Sequence, residues 1–410
     1  MSLWSHRDFR LLWAGDTVSQ FGSAIGQTVL PLLAAGTLAA TPLQMGVLSA
    51  ANTAAFLLIG LPAGVWVDRM RRRPLMLSMD LVRAAVLLSV PLAWWAGLLT
   101  LAHLVVVALL IGVCTVFFDI AYQSYLPSLV GRTQLVEGNS KLQASQSVAQ
   151  VSGPAAAGGI AQLLGAANGV LLTGLGYLGS ALFLWRIKAV EAPPRSTGGV
   201  SLRAQIAEGL RFVFGNPSLR AIVACTGTSN FFSGMLGAVL VLFLVRDLNL
   251  ADGVVGLVLS AAGAGGVLGA VTAHRWNVRF GQTRTIWLSM VVTQPFGLLL
   301  PLAASDWRVG FVVLAEGAVA YGSIVYNVAQ VSYRQALCPD HLLGRMNASV
   351  RFVVWGTIPL GGLVGGLLGG WTSVPTTLWV AVIGQLAAVG WVLFSPLRNA
   401  PEPVSVTPLA

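Results

Sequence analysis

The sequence predicts an all-α integral membrane protein of twelve transmembrane helices in two pseudo-symmetric six-helix bundles, with both termini in the cytoplasm. Three observations carry that expectation. Hydrophobic residues make up 56% of the 410-residue chain and charged residues only 9%, where a soluble globular domain carries about 25% charge. Apolar runs recur that are long enough for a bilayer core about 30 Å thick, which needs roughly 20 helical residues. The basic residues fall on alternate connections, as they do when cytoplasmic loops collect Lys and Arg. That pattern accounts for the formal charge of +10. A nucleic-acid binder would instead gather its basic residues on a polar face or tail, which this chain lacks.

The first run, 11–35, follows Arg7 and Arg10 and is too long for the apolar core of a signal peptide, so it reads as helix 1. It carries Asp16 and Gln20 in "GDTVSQFG", and then Gln27. Helix 2, 45–67, contains Gly60 and Gly64 and runs into the charge cluster "DRMRRR" at 68–73. Helix 3, 75–97, places Asp80 and Arg83 three residues apart, a spacing that lets them pair on one face. Helix 4, 101–122, holds Asp119 near its inner end and leads into "YLPSLVGRTQLVEGNS". Helix 5, 141–163, carries Gly153, Pro154, Gly158 and Gly159 in "GPAAAGG"; helix 6 is 167–186. Small residues let helices approach closely, and an internal Pro bends one.

The connection 187–218 contains "EAPPRSTGG" and then "SLRAQIAEGLRFVF". In the latter, Leu202, Ile206, Leu210 and Phe214 recur at helical spacing with Arg203, Glu208 and Arg211 between them. This reads as a linker followed by an amphipathic helix on the inner membrane surface. Helices 7 to 12 follow at 219–245, 253–273, 285–303, 308–328, 352–371 and 374–395. The expected plan is an N-terminal bundle (1–186), a cytoplasmic linker (187–218), a C-terminal bundle (219–395) and a cytoplasmic tail (396–410). With the N-terminus inside, Arg246 and Arg308 are the only basic residues on outer loops.

The second half echoes the first at an offset of about 205 to 207 residues, as in two-bundle transporters. "YLPSLVGRTQLVEGNS" has its counterpart in "YRQALCPDHLLGRMNAS", Pro154 in Pro359, and Gly60 and Gly64 in Gly265 and Gly269. Two six-helix halves joined by a cytoplasmic linker are the layout of a transporter that rocks about a central site.

Glu316 lies about eight residues, or roughly 12 Å, into helix 10, with no basic residue within four positions. An ionisable group at that depth costs several kcal/mol unless it is paired or protonated, so it is expected to face a cavity, where it can carry a proton or bind a cation. Asp16 has two readings, an ion pair with a cytoplasmic-side Arg or proton coupling. Cys114, Cys225 and Cys338 read as reduced thiols packed as small apolar residues. Neither Lys141 nor Lys188 follows a Gly, so no phosphate-cradling loop of an ATP-driven pump is present. His6, His103, His274 and His341 are scattered, without metal-site spacing, and nothing in the chain points to an enzyme.

Gly64, Asp68, Arg69, Arg72 and Arg73 stand as G-x-x-x-D-R-x-x-R-R, which resembles the signature between helices 2 and 3 of the major facilitator superfamily, with Arg71 where the pattern has Gly. "DLVRA", "LPSLVGRTQLVEGNS" and "CPDHLLGRMNAS" resemble bacterial exporters of the enterobactin-exporter and macrolide-efflux type. "GPAAAGG" is similar to the antiporter motif G-P-x-x-G-G, with one extra residue after the Pro. The resemblance implies the major facilitator fold and a latch at the charge cluster, with Asp119 as a partner for Arg69 or Arg72. It also implies a cavity lined by helices 1, 4, 7 and 10. On those helices lie Asp16 and Glu316 for proton or substrate coupling, and Gln20, Gln27, Asn230, Phe231, Phe232, Tyr321, Tyr326 and Asn327 as lining.

The activity implied is secondary export of a small amphipathic molecule, a drug, macrolide or siderophore, across the cytoplasmic membrane of a bacterium. The proton gradient supplies the energy and no cofactor is required. The expected partners of a monomeric protein are the substrate, protons and the lipid bilayer, with no nucleic acid. A proton-coupled uptake symporter or a facilitator for a metabolite stays open as the alternative, followed by a channel or a scaffold that transports nothing.

Overall fold

The structure, a computed structural model, describes residue 3 and residues 6–130, 134–189, 202–339 and 342–399. Thirteen α-helices occur among these residues, and no strand. In the first half they are α1 (Arg7–Leu32), α2 (Pro42–Asp68), α3 (Arg72–Trp95), α4 (Leu101–Val130), α5 (Leu135–Leu164) and α6 (Ala166–Arg186). Next come the short α7 (Leu202–Gly215), then α8 (Pro217–Leu242), α9 (Asp252–Phe280), α10 (Gln282–Thr293), α11 (Val309–Leu337), α12 (Leu343–Trp371) and α13 (Val374–Leu393). A 3-10 segment, Gln294–Leu302, extends α10.

Local chemistry sets the helix ends. His6 Nδ1 accepts the Phe9 amide at the start of α1, and Thr41 with Gln44 forms a reciprocal capping box at the start of α2. Gly165, at φ 85°, ends α5 and starts α6 within one residue, a conformation open to Gly but strained for other L-residues. Between α2 and α3 the chain turns through Arg69, Met70 and Arg71. Arg71 sits at φ −70°, ψ 126°, an extended conformation that any residue adopts, so this turn does not need the Gly of the superfamily pattern.

Among the described residues, ten helical stretches are long and apolar enough to cross a membrane by length and composition. Large apolar side chains point outward from them, among them Leu58, Leu182, Leu257 and Val278, as bilayer-facing surfaces require. Among the described residues α1 and α5 are long enough to span but fall short of the apolarity test. Polar groups are the reason: Asp16, Gln20 and Gln27 lie along α1, and Glu137, Asn139, Lys141 and Gln143 occupy the first turns of α5.

The chain divides into two compact units, Met1–Gly198 with Val241–Ser260, and Gly199–Leu240 with Ala261–Ala410. In the first, α1 packs on α5 and α6, α3 on α4 and α6, and α2 on α4. Phe9, Leu12, Met76, Phe118, Tyr125 and Leu184 belong to one buried cluster of this unit. Asp80 and Arg83 form an ion pair within α3, both side chains almost fully buried. The Arg83 guanidinium lies between the rings of Phe118 and Tyr177, at 4.3 and 4.2 Å from their centroids.

In the second unit α10 packs on α11, and the 3-10 segment on α11 and α13. Close glycine contacts set the distance between α9 and α11: Gly265 abuts the backbone of Gly317, and Gly269 that of Tyr321. The short α7 docks on the first turns of α12. Glu208 pairs with Arg345, Gly209 faces the Arg345 carbonyl, and Val213 is buried against Met346 and Val350. The side chains of residues 202–206, half of the amphipathic pattern, lie outside the described residues.

The internal repeat is visible in backbone detail. α1 ends in a π-turn, Leu33–Thr37, in which the Leu38 amide reaches the Leu33 carbonyl (3.1 Å) and the Ala40 amide that of Ala34 (2.9 Å). α8 ends in the same way at Phe243–Asp247, with Leu248 bonded to Phe243 (2.9 Å) and Leu250 to Leu244 (3.0 Å). Each turn is followed by a left-handed residue, Ala39 at φ 49° and Asn249 at φ 53°.

Candidate functional site: a polar cavity between α1, α4 and α5

The first unit contains a cavity of about 590 Å³ lined by Asp16 and Gln20 from α1, Tyr122 from α4, and Asn139, Ser140, Leu142, Gln143, Ala144, Gln146 and Ser147 from α5. Asp16 and Gln20 are one turn apart on the same face of α1, and the Gln20 carboxamide donates to Asp16 Oδ1 at 3.5 Å. The Asp16 side chain is 5% exposed. The Tyr122 hydroxyl faces it from α4, where the Tyr122 ring stacks on Phe118 at 6.1 Å between centroids. Through Phe118 the cavity wall leans on the buried Asp80–Arg83 pair.

Asp119 and Asp80 add like charge to the surroundings of Asp16. Arg83, the buried cation of this unit's core, is paired with Asp80. No basic side chain pairs with Asp16 among the described residues. A carboxylate buried without a cation is costly unless it takes up a proton or a positively charged ligand neutralises it. Either event can happen here because the side chain opens onto a cavity rather than solid packing.

The α5 lining residues were not among the sequence-derived candidates. The signal was present: Asn139, Gln143, Gln146 and Ser147 recur at helical spacing in an otherwise apolar chain. Asn139 precedes the predicted helix 5 (141–163), since α5 begins at Leu135, and Gln143, Gln146 and Ser147 occupy the first turns of that predicted helix.

Glu316 lies on α11 in the second unit, half-buried, with no hydrogen-bond or ion-pair partner among the described residues. Several neighbours on the expected cavity helices are engaged in packing. Tyr321 Oη accepts from Trp276 Nε1 (2.8 Å) and from Thr272 (3.0 Å), which ties α11 to α9. Tyr326 donates to the Ile222 carbonyl (3.2 Å) beside Thr226 (2.8 Å), which ties α11 to α8. The Asn230 carboxamide donates to the Val354 carbonyl (2.8 Å) on α12. Phe231 and Phe232 meet edge to face at 5.2 Å, with the Phe232 ring against Gly384 of α13. Gln27 and Asn327 are exposed; Gln27 donates to Ser23 and Asn327 accepts from Gln330.

At the charge cluster, Arg69 closes the end of α2 and is exposed. Arg73 donates to the Leu184 and Trp185 carbonyls (2.9 and 2.6 Å), placing a cation on the C-terminal turn of α6 where free carbonyls and the helix dipole favour it. Arg72 starts α3, Asp119 is half-buried on α4, and Gly64 has open space around its Cα. The Asp68 side chain lies outside the described residues. On α5, Gly153 abuts Ala24 of α1, and the Pro154 carbonyl abuts Gly256 of α9. A Cβ at Gly158 would come within 2.9 Å of the Gly256 backbone, whereas Gly159 faces open space.

Apolar helices long enough to cross a membrane, packed around a polar cavity, are the architecture of a membrane transporter. Residues 1–407 match the model of the family described as transmembrane secretion effector, and the chain belongs to that family of the major facilitator superfamily. The chain is 30% identical over 338 residues to the multidrug efflux pump Tap of Mycolicibacterium fortuitum, a match covering 80% of each protein. It is also 26% identical over 375 residues to the MFS-type transporter y4rN of Sinorhizobium fredii, covering 90% of this chain and 89% of that one. Among solved structures it shares its fold with the nucleoside transporter NupG (TM-score 0.77, 10% identity, 96% of this chain and 100% of that one). A bacterial homologue of the iron transporter ferroportin, in an inward-facing state, gives a TM-score of 0.72 at 16% identity, over 98% of this chain and all of that one.

Proposed function

We propose that this transporter exports a small amphipathic molecule across the bacterial cytoplasmic membrane by alternating access, in exchange for protons. Asp16 is the proton-coupling group of the reading, and the observation that carries it is a buried carboxylate, without a basic partner, in the wall of a polar cavity. A cationic substrate and a proton are alternative ways to neutralise the same carboxylate, so binding one releases the other. Gln20 and Tyr122 orient the carboxylate, and the amides and hydroxyls of α5 give the substrate's polar groups partners. Glu316 is a second proton or substrate group of the same chemistry. The similarity to a multidrug efflux pump supports export over uptake.

The test is transport in proteoliposomes with an imposed pH gradient, using a panel of cationic drugs, macrolides and siderophores. The reading expects substrate to move against the inward proton flow, and Asp16→Asn to reduce gradient-driven flux roughly tenfold or more while substrate exchange at equal pH persists. Accumulation in the direction of the proton gradient would select the uptake symporter. Flux insensitive both to the gradient and to Asp16→Asn and Glu316→Gln would remove proton coupling.

A further inference from the structure

Three contacts gather where α1 and α5 reach their outer ends. Arg246 Nη2 donates to the Ala35 carbonyl at 2.8 Å. Gln162 Oε1 accepts the Gly253 amide at 3.1 Å, satisfying a free N–H in the first turn of α9. Beside it the Gly158 and Gly256 backbones touch, so that a Cβ on either would come within 2.9 Å of the other. The partners of α1 and α5 here all belong to residues 241–260, which cluster with the first unit, although the rest of α8 and α9 belongs to the second.

Arg246 lies within the π-turn that ends α8, and Ala35 within the equivalent π-turn of α1. The last carbonyls of a helix lack intrahelical donors, and the negative end of its dipole attracts a cation. Arg246 supplies both donor and charge. Its counterpart in the first copy of the turn is Gly36, which has nothing within 4 Å of a built Cβ, so the two turns are joined in one direction only. Ala35 is 2% exposed while Arg246 is exposed. A guanidinium on a neutral carbonyl, with water at hand, can be exchanged for solvent, unlike a buried ion pair whose rupture strands a charge.

We infer that Arg246 on Ala35, with Gln162 on the start of α9, is the outer lock of the transport cycle: it is closed while the outer side is sealed and released when that side opens. The inference rests on the alternating-access reading and on the expected cytoplasmic N-terminus. It does not depend on the substrate or on proton coupling.

The test places a single cysteine at Gln27, exposed on α1 and eight residues inward of Ala35, with Cys114, Cys225 and Cys338 replaced by Ala. Labelling by a membrane-impermeant maleimide is then followed in right-side-out vesicles, where no substrate or pH gradient is needed. Arg246→Ala should speed labelling from outside about tenfold, the effect of one lost charge-assisted hydrogen bond on the closed state, and Gln162→Leu, which loses a neutral one, about fivefold. Arg246→Lys should restore slow labelling. Inside-out vesicles report folding, since both variants must still label there. Should Arg246→Ala fail to reach the membrane, Arg246→Gln carries the same test with a smaller increase. Outside labelling unchanged in the Arg246 and Gln162 variants overturns the lock, whatever the transport assay shows about protons.

Discussion

Asp80 and Arg83 are paired on one face of α3, at 0% and 3% exposure, and the guanidinium is held between the rings of Phe118 and Tyr177. Removing one partner strands the other charge in an apolar core. Asp80→Asn should therefore destabilise the protein by about 3 to 5 kcal/mol, while Asp80→Leu combined with Arg83→Met should recover most of that loss. Thermal unfolding in detergent measures both, and a double variant no better than the single one would contradict this account.

Adjacent glycines of α5 should behave differently. Gly158→Ala puts a methyl group against the Gly256 backbone, which cannot rotate away, and should cost about 1 to 3 kcal/mol. Gly159→Ala meets nothing within 4 Å and should be neutral. Gly158→Leu should abolish transport with membrane expression retained. Expression level, melting temperature and flux on the three variants check the contrast.

The left-handed residues after the π-turns provide a second matched pair. Ala39 holds φ 49° without the side-chain hydrogen bonding that makes this conformation tolerable for Asn, whereas Asn249 occupies φ 53°. Ala39→Gly should stabilise by about 1 kcal/mol, and Asn249→Ala should destabilise by a similar amount. Melting temperatures of opposite sign are the expected result.

On the loop before α11, Arg308 Nε donates to both carboxylate oxygens of Asp306, at 3.0 and 3.1 Å, and holds that carboxyl below its ordinary range. A lowered carboxyl stabilises the fold at pH values above the ordinary carboxylate range, and the contribution disappears as pH falls through the lowered value. Both side chains are exposed, so Arg308→Gln should leave the melting temperature at neutral pH unchanged. A clear fall at neutral pH would show a hidden role for the pair.

The fold was legible because membrane helices announce themselves by length and apolarity, and because the cluster at 68–73 interrupts that apolarity sharply. The Asp80–Arg83 pair was legible because its spacing is a helical one. Partner choice was not: nothing local in Tyr321 says that its hydroxyl turns to Trp276, or in Asn230 that its carboxamide serves the Val354 carbonyl. Asp16 was visible as a misplaced charge, but whether a cation answered it depended on residues distant in the chain. The α5 lining escaped because polar side chains at the start of a predicted helix do not show by themselves which neighbouring helix they face.

α1 and α5, the least apolar of the long helices, are also the two that contribute most of the cavity wall. A carboxylate at the centre of an isolated helix opposes membrane insertion by about 2.5 to 3.5 kcal/mol. α1, with Asp16 inside it, is therefore poorly suited to entering the bilayer alone during synthesis. It needs its packing partners, α6 above all and then α5, which leave the ribosome later. The polarity that equips the cavity thus delays the assembly of the first bundle until its last helix is made.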